Sequence, residues 1–161
     1  VPPETLPRRD LYDLARSLIV KSTESLPPLN YGDMQDLSEG YRETFNLVDM
    51  VHRERTKIPA SLKLVSRYAY WFVQDGVAVS REDLEGAARE FDNQIYPLVT
   101  RVFGPLWPTA EANGNRITIL NANFSGVLGY YSAADEYPNY VHETSNQRKI
   151  IYMNSFKAVM F

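Results

Sequence analysis

The side chains with the greatest capacity for chemistry lie in the last third of the chain, in the segment 142–146 (HETSN). This segment begins like the zinc motif HExxH, in which two histidines one helical turn apart bind the metal and the glutamate acts as general base. Asn146 stands where the second histidine is required, and the composition around it is typical of a loop. We therefore predict that His142 is a surface-loop residue and that this segment binds no metal.

The neighbouring acids Asp135 and Glu136 are a second candidate, since carboxylate and amide oxygens, here also from Asn123 and Asn139, can bind calcium. No EF-hand or repeat spacing accompanies them. Adjacent carboxylates also do not face each other across a substrate, as an acid–base pair must. A solvated loop is therefore the favoured interpretation of this pair. The other histidine, His52, lies among charged residues and is predicted to be solvated.

Several classes of function find no support in the composition. The chain lacks cysteine, which excludes disulfides and thiol catalysis, and it contains no nucleophile-elbow, P-loop or dinucleotide-binding motif. A net charge of -3 without long basic runs argues against a nucleic-acid partner. No apolar stretch approaches the roughly 20 residues that span a bilayer. The Pro-rich start (VPPETLPRRD) and the apolar end (VMF) predict a chain that is cut at both sides.

The elements that must position these side chains follow from hydrophobic spacing. A stripe of four apolar residues predicts a short amphipathic helix over Asp10–Val20, and Lys21–Gly40 has the composition of a linker. Residues 41–79 predict a small antiparallel sheet with a hairpin turn at Asp75–Gly76. The segment 68–73 (YAYWFV) has apolar or aromatic residues on both faces, so a buried strand is favoured over an exposed aromatic binding stripe.

The clearest helix begins at Ser80, which is predicted to cap the backbone N–H of Asp83, and its apolar face continues to Val102. Pro97 removes one backbone donor inside this helix, so a bend or restart is expected near Tyr96. Three strands are predicted after the helix, in the segments 116–124 (RITILNANF), 126–131 (GVLGYY) and 149–153 (KIIYM). The sequence thus predicts an α+β fold.

The order of these segments resembles the region that precedes the catalytic helix in hyicolysin-like secreted bacterial metallopeptidases, which are neighbours of the immune inhibitor A group. The resemblance covers roughly 120 residues by eye. It is carried by YRETFNLVD, YAYWFVQDG, FDNQIYPLVTRVFG, NGNRITIL, GVLGYYSAADEYP and SNQRKIIYMN. The residues themselves predict a linker and short helix over 1–40 and a small antiparallel β module over 41–79. The resemblance implies that 80–161 is the upper half of a zincin-like helix-plus-mixed-sheet subdomain that lacks the HExxH helix.

In that family a zinc-binding HExxH helix follows the IIYMN-type strand, whereas this chain ends first. The resemblance therefore implies a scaffold with neither catalytic residues nor metal ligands, and zinc only in the parent protein. The expected partner is the catalytic half of the same polypeptide, and the expected location is outside a bacterial cell or on its surface. In zincins an edge strand binds the peptide substrate by strand addition. By position, that element matches the substrate-binding residues Val127, Leu128, Gly129, Tyr130 and Tyr131.

Two hypotheses remain open at this point. The chain is either the N-terminal part of a zinc endopeptidase or a non-enzymatic extracellular module that binds protein or carbohydrate. If a catalytic half is missing, Ile150, Tyr152 and the end of the chain, 159–161, should form an exposed apolar patch. Burial of these residues by the domain itself would favour the independent module.

Overall fold

A computed structural model of the protein describes residues 37–49, 51–52, 54–104 and 116–155. Within these residues, six strands form one mixed sheet in the order β1-β2-β3-β4-β6-β5. The strands are β1 (Arg42–Val48), β2 (Arg55–Val65), β3 (Ala69–Gln74), β4 (Ile117–Ala122), β5 (Gly129–Tyr131) and β6 (Ile150–Asn154). Strands β1 to β3 are antiparallel, β3, β4 and β6 run parallel, and β5 returns antiparallel along β6. The α+β class is therefore confirmed.

The crossover between β3 and β4 contains the helical segment. It consists of α1 (Arg81–Glu90), one π-helical turn (Phe91–Ile95) and α2 (Tyr96–Phe103). Ser80 caps α1 as predicted, because its hydroxyl accepts the backbone N–H of Asp83 at 3.0 Å. A π-helical turn lies directly before Tyr96, where the sequence predicts a bend or restart, but the chain stays helical through it, since Ile95 and Tyr96 both keep helical backbone angles. The bend itself stays a prediction. Pro97 directly follows this turn, where the regular backbone hydrogen bonding of the helix is already interrupted.

Asp92, in the π-helical turn, fixes the helical segment to the sheet. Its carboxylate accepts hydrogen bonds from the Ser66 hydroxyl at 3.1 Å and from the backbone N–H groups of Arg67 and Tyr68 at 2.9 and 3.2 Å. These three donors form the turn between β2 and β3. The helical segment is therefore attached over the β2–β3 side of the sheet.

Two apolar cores lie on the two faces of the sheet. The inner core occupies the concave face and contains Phe45, Leu62, Phe72, Leu120, Ile150 and Tyr152, all nearly inaccessible to solvent. The helix-side core packs Leu84, Ala88 and Phe91 of the helical segment against Trp71, Ile117 and Ile119. Strand β3 contributes to both cores, which confirms that the YAYWFV segment is a buried strand.

The hairpin predicted at Asp75–Gly76 is wrong. Gly76 does adopt the positive φ of +86° that such a turn requires, but the turn leads from β3 into α1, and β3 pairs with β4 in parallel instead. The helical period of the residues after the turn overrides the local turn signal. The predicted boundary between residues 79 and 80 stays a prediction, although strands from both sides of it share this sheet.

The exposed patch expected at Ile150 and Tyr152 is also wrong, since these side chains are 0% and 1% exposed. Alternation along β6 directs them into the inner core, and the curl of the sheet brings residues of β1 and β2 over them. Residues 159–161, the predicted helix Asp10–Val20 and most of the predicted linker lie outside the described residues.

Candidate functional site

The sheet has two edge strands, and they differ in whether other residues already pair with their outward backbone groups. An edge strand presents a row of N–H and C=O groups that can pair with another chain. Strand β1 forms one edge and β5 forms the other. The candidate site depends on which of the two edges is already occupied.

The β1 edge is occupied by side chains from the far end of the sequence. The side-chain amide of Asn146 accepts the backbone N–H of Asn46 at 2.8 Å and donates to the backbone oxygen of the same residue at 2.9 Å. Two residues further along β1, the backbone N–H of Val48 donates to the hydroxyl of Tyr130 at 3.1 Å. The sheet therefore curls until both of its ends meet through these side chains.

A buried carboxylate holds Asn146 in place. Asp135 is 7% exposed, and one of its oxygens accepts both the backbone and the side-chain N–H of Asn146 at 3.0 Å. Its other oxygen accepts the hydroxyl of Tyr152 at 2.8 Å. Burial raises the pKa of Asp135, and the hydrogen bonds from Asn146 and Tyr152 oppose that rise. Burial is also the largest cause of the raised pKa of Tyr152, followed by the charge of Asp135.

An ion pair adds a third connection to β1, and it comes from the loop between β5 and β6. Arg148 contacts Glu43 at 2.5 Å, and its guanidinium lies 5.2 Å from the ring centre of Phe45. The backbone N–H of Arg148 also donates to the backbone oxygen of Asp135 at 2.7 Å. The loop between β5 and β6 is thus tied to β1 at several points.

The β5 edge remains open among the described residues, because no strand lies beyond it. The backbone N–H of Asn154 donates to the backbone oxygen of Leu128 at 2.9 Å. In the antiparallel pair of β5 and β6, this bond fixes which residues of β5 direct their backbone groups toward β6. Since these positions alternate, the N–H and C=O groups of Gly129 and Tyr131 point away from β6. Both residues are exposed. The β5 edge can therefore accept an additional strand.

Gly129 is required at this edge by a close backbone contact. A Cβ atom at this position would lie 2.7 Å from the backbone oxygen of Tyr152, which is closer than a carbon and an oxygen can approach. The apolar side chains around it are unusually exposed for an edge strand: Leu128 is 88% exposed, Tyr131 53% and Met153 43%. This edge can therefore offer backbone hydrogen bonds and apolar contacts together.

The structure brings some of the predicted substrate-binding residues together at this edge. Gly129, Tyr130 and Tyr131 form β5, whereas Val127 and Leu128 precede it. Tyr130 faces the inner core and stacks on Tyr152 with ring centres 4.2 Å apart, so its side chain is directed away from the open edge.

The prediction of a solvated Asp135 is wrong, since this residue is buried in the network with Asn146 and Tyr152. Sequence reasoning assigned no role to Asn146. The only available signal was its position in a segment rich in hydrogen-bonding side chains, which does not identify a partner 100 residues away.

The described residues do not fit a zinc site. Among them there is no group of three or more His, Cys, Asp or Glu side chains that could hold a metal ion. Asp135 already uses both oxygens for Asn146 and Tyr152. No helix in the described parts of the chain is long and apolar enough to cross a membrane.

Comparison with known proteins adds no family assignment: no protein-family model matches this chain, and no curated protein is significantly similar to it.

Proposed function

We propose that this chain is the N-terminal, pre-catalytic part of a secreted bacterial zinc endopeptidase, and that its β5 edge binds the extended peptide substrate. The open edge at Gly129 and Tyr131 carries this proposal, because it combines unpaired backbone groups with exposed apolar side chains. The resemblance of residues 80–161 to the upper half of a zincin fold supports it. Strand β5 lies at the edge of the sheet, which is the position that the resemblance implies for the strand that binds the substrate.

In this proposal the zinc and its ligands belong to the remainder of the same polypeptide. The described residues supply the scaffold and the peptide-binding edge, and no catalytic step is assigned to them. We expect the chain of 161 residues to show no zinc-dependent cleavage of casein. Chelator-sensitive cleavage by this purified chain would contradict that assignment.

The peptide-binding edge can be tested by hydrogen exchange in the presence of a short apolar peptide blocked at both ends. We expect slower exchange at the backbone N–H groups of Gly129 and Tyr131 as the peptide concentration rises. Tyr131→Pro removes one outward donor and should abolish binding, whereas the matched variant Tyr131→Ala keeps that donor and should retain it. Equal binding by both variants would show that the backbone edge is not the site.

The enzymatic part of the proposal has a separate test in the parent gene. The codons that follow Phe161 should encode HExxH within about 30 residues, on a helix after β6. Absence of that motif would refute the peptidase assignment even if the edge binds peptide.

A second candidate, a non-enzymatic extracellular module that binds protein or carbohydrate, is favoured by the burial of Ile150 and Tyr152 within the domain. Peptide binding at β5 together with the absence of HExxH in the gene would support its protein-binding form.

A further inference from the structure

Gly129 leaves a gap in the row of side chains on the helix side of β5. On β6, Ile151 packs against the helix-side core, and alternation along the strand places Met153 on the same face. Gly129 lies opposite Met153 in the register of the sheet, so position 129 of β5 belongs to this face. Tyr131 belongs to it as well and fills its position with a ring whose hydroxyl donates to Glu136. Only at Gly129 does β5 place no side chain on the helix side.

The thioether of Met153 lies at the border of this gap. Its Sδ atom is 3.4 Å from the position that a Cβ atom on Gly129 would take. The two residues form a non-hydrogen-bonded pair, in which side chains on adjacent antiparallel strands lie closest together. Met153 nevertheless stays 43% exposed. An apolar and polarisable surface is therefore available beside the outward backbone groups of Gly129.

A strand added at the β5 edge would place one of its own side chains over Gly129. The residue that pairs with Gly129 would direct its side chain to the same face of the sheet, because paired residues share a face. Aromatic side chains pair favourably with a glycine at a sheet edge, since the ring covers backbone that the glycine leaves exposed. A methionine sulfur is also a favourable neighbour for a ring. Both features favour an aromatic residue at this position over an aliphatic one.

We propose that the β5 edge selects extended peptides with an aromatic residue opposite Gly129, and that Met153 is the residue that determines this specificity. The aromatic ring lies across Gly129 and contacts the Met153 thioether, while the backbone groups of Gly129 hold the peptide. The ring of Tyr131, two positions along the same face, forms one wall of the position. This inference rests on the peptide-binding edge proposed above, and it does not depend on cleavage.

Three blocked peptides of seven residues test the preference. Each consists of threonine except at its central position, which is phenylalanine, leucine or alanine. We expect the phenylalanine peptide to bind the chain of 161 residues about fivefold more tightly than the alanine peptide, and more tightly than the leucine peptide. The amide signals of Gly129 and Tyr131 follow the titrations. The phenylalanine peptide should also shift the methyl signal of Met153 upfield, because its ring lies over this group.

Met153→Ala should reduce the preference for phenylalanine over alanine to about twofold or less, because the thioether contact is lost. Val99→Ala is the matched control, since Val99 is 44% exposed but lies on α2. Helix α2 begins beside the start of β3, where Tyr96 stacks on Tyr68, whereas Met153 lies near the end of β6, which is parallel to β4 and so to β3. The control variant should therefore keep the preference of the wild type.

Equal binding of the three peptides, or a preference that Met153→Ala leaves unchanged, would overturn this inference and leave the peptide-binding edge in place. A preference for phenylalanine without a shift of the Met153 methyl signal would overturn it too, because the ring would then lie elsewhere. Failure of all three peptides to bind would overturn the peptide-binding edge itself, and this inference with it.

Discussion

Asn146 completes the edge of β1 by pairing its side-chain amide with both backbone groups of Asn46, 100 residues earlier in the chain. A primary amide carries one donor side and one acceptor side, so it can replace the peptide group of a neighbouring strand. One side chain thus pairs with both backbone groups of Asn46, and the hydroxyl of Tyr130 accepts the N–H of Val48 on the same edge.

Asn146→Ala should destabilise the fold strongly. The change leaves the backbone N–H of Asn46 without a side-chain partner. It also removes one donor from the Asn46 oxygen, which keeps the Tyr152 hydroxyl, and one from Asp135, which keeps the backbone N–H of residue 146. We therefore expect a loss of about 1–3 kcal/mol in the free energy of unfolding. Urea denaturation measures this loss. Asn139→Ala, an exposed asparagine in the same loop, is the matched control and should change stability by less than about 0.5 kcal/mol. Similar losses in the two variants would contradict the edge-completing role.

Asp135 should make the free energy of unfolding decrease as the pH rises. Burial raises the pKa of Asp135 in the folded state. The stabilisation that the protonated carboxyl gives to the folded state is therefore fully present below the unfolded pKa of about 3.9, and it is lost as the pH rises through the folded pKa. The free energy of unfolding of the wild type should therefore fall relative to that of Asp135→Asn as pH increases from about 4.

Chemical denaturation at a series of pH values, with exposed Glu143→Gln as the control, measures this difference between wild type and variant. A difference that stays constant, or that grows in favour of the wild type as pH rises, would refute the predicted direction.

Gly129→Ala should destabilise the fold, although Gly129 is exposed and most exposed glycines tolerate alanine. The new Cβ would meet the backbone oxygen of Tyr152 at 2.7 Å, and a backbone atom cannot move aside as a flexible side chain can. We expect a loss of about 1–3 kcal/mol in thermal or urea denaturation.

Gly86→Ala is the control for this change and should have the opposite sign. Gly86 lies within α1, and an added Cβ has only Arg89 within 4.0 Å. Alanine should therefore stabilise the protein by roughly 0.5–1 kcal/mol. Destabilisation by Gly86→Ala, or tolerance of Gly129→Ala, would count against these local geometries.

Asp92→Ala should loosen the attachment of the helical segment to the sheet. Its carboxylate is the acceptor for Ser66, Arg67 and Tyr68, so we expect a loss of about 2 kcal/mol in the free energy of unfolding. The adjacent exposed Asn93→Ala serves as the control and should have little effect. If Asp92→Ala is as stable as Asn93→Ala in urea, the turn between β2 and β3 does not depend on this acceptor.

Features set by neighbouring residues were predictable from the sequence. The cap at Ser80 and the buried strand β3 follow from spacing within one element, and the structure has both. The turn at Asp75–Gly76 was assigned to a hairpin because its two residues carry no information about the helical period that begins five residues later.

The network around Asp135 could not be predicted, for a physical reason. A loop of polar residues has the same composition whether its side chains meet water or one another. Asp135 is buried because Asn146 and Tyr152 supply donors to it, and Asn146 is held because β1 curls toward it. These partners come together only after the whole sheet has formed. The open edge at Gly129 and Tyr131 could not be predicted either. A strand lies at an edge because of the order of strands in the sheet, and the sequence does not give that order.

The place of β6 in the sheet has a consequence for the order of events during biosynthesis. Of the six described strands it is the last to be synthesised, yet it lies between β4 and β5 and is the only one of them that pairs with β5. The helical segment and β1 to β4 can assemble while translation continues. Strand β5 must wait, unpaired and solvent-exposed, until β6 arrives. A nascent-chain experiment should therefore find that β5 acquires protease resistance only in a late step, together with Ile150–Asn154.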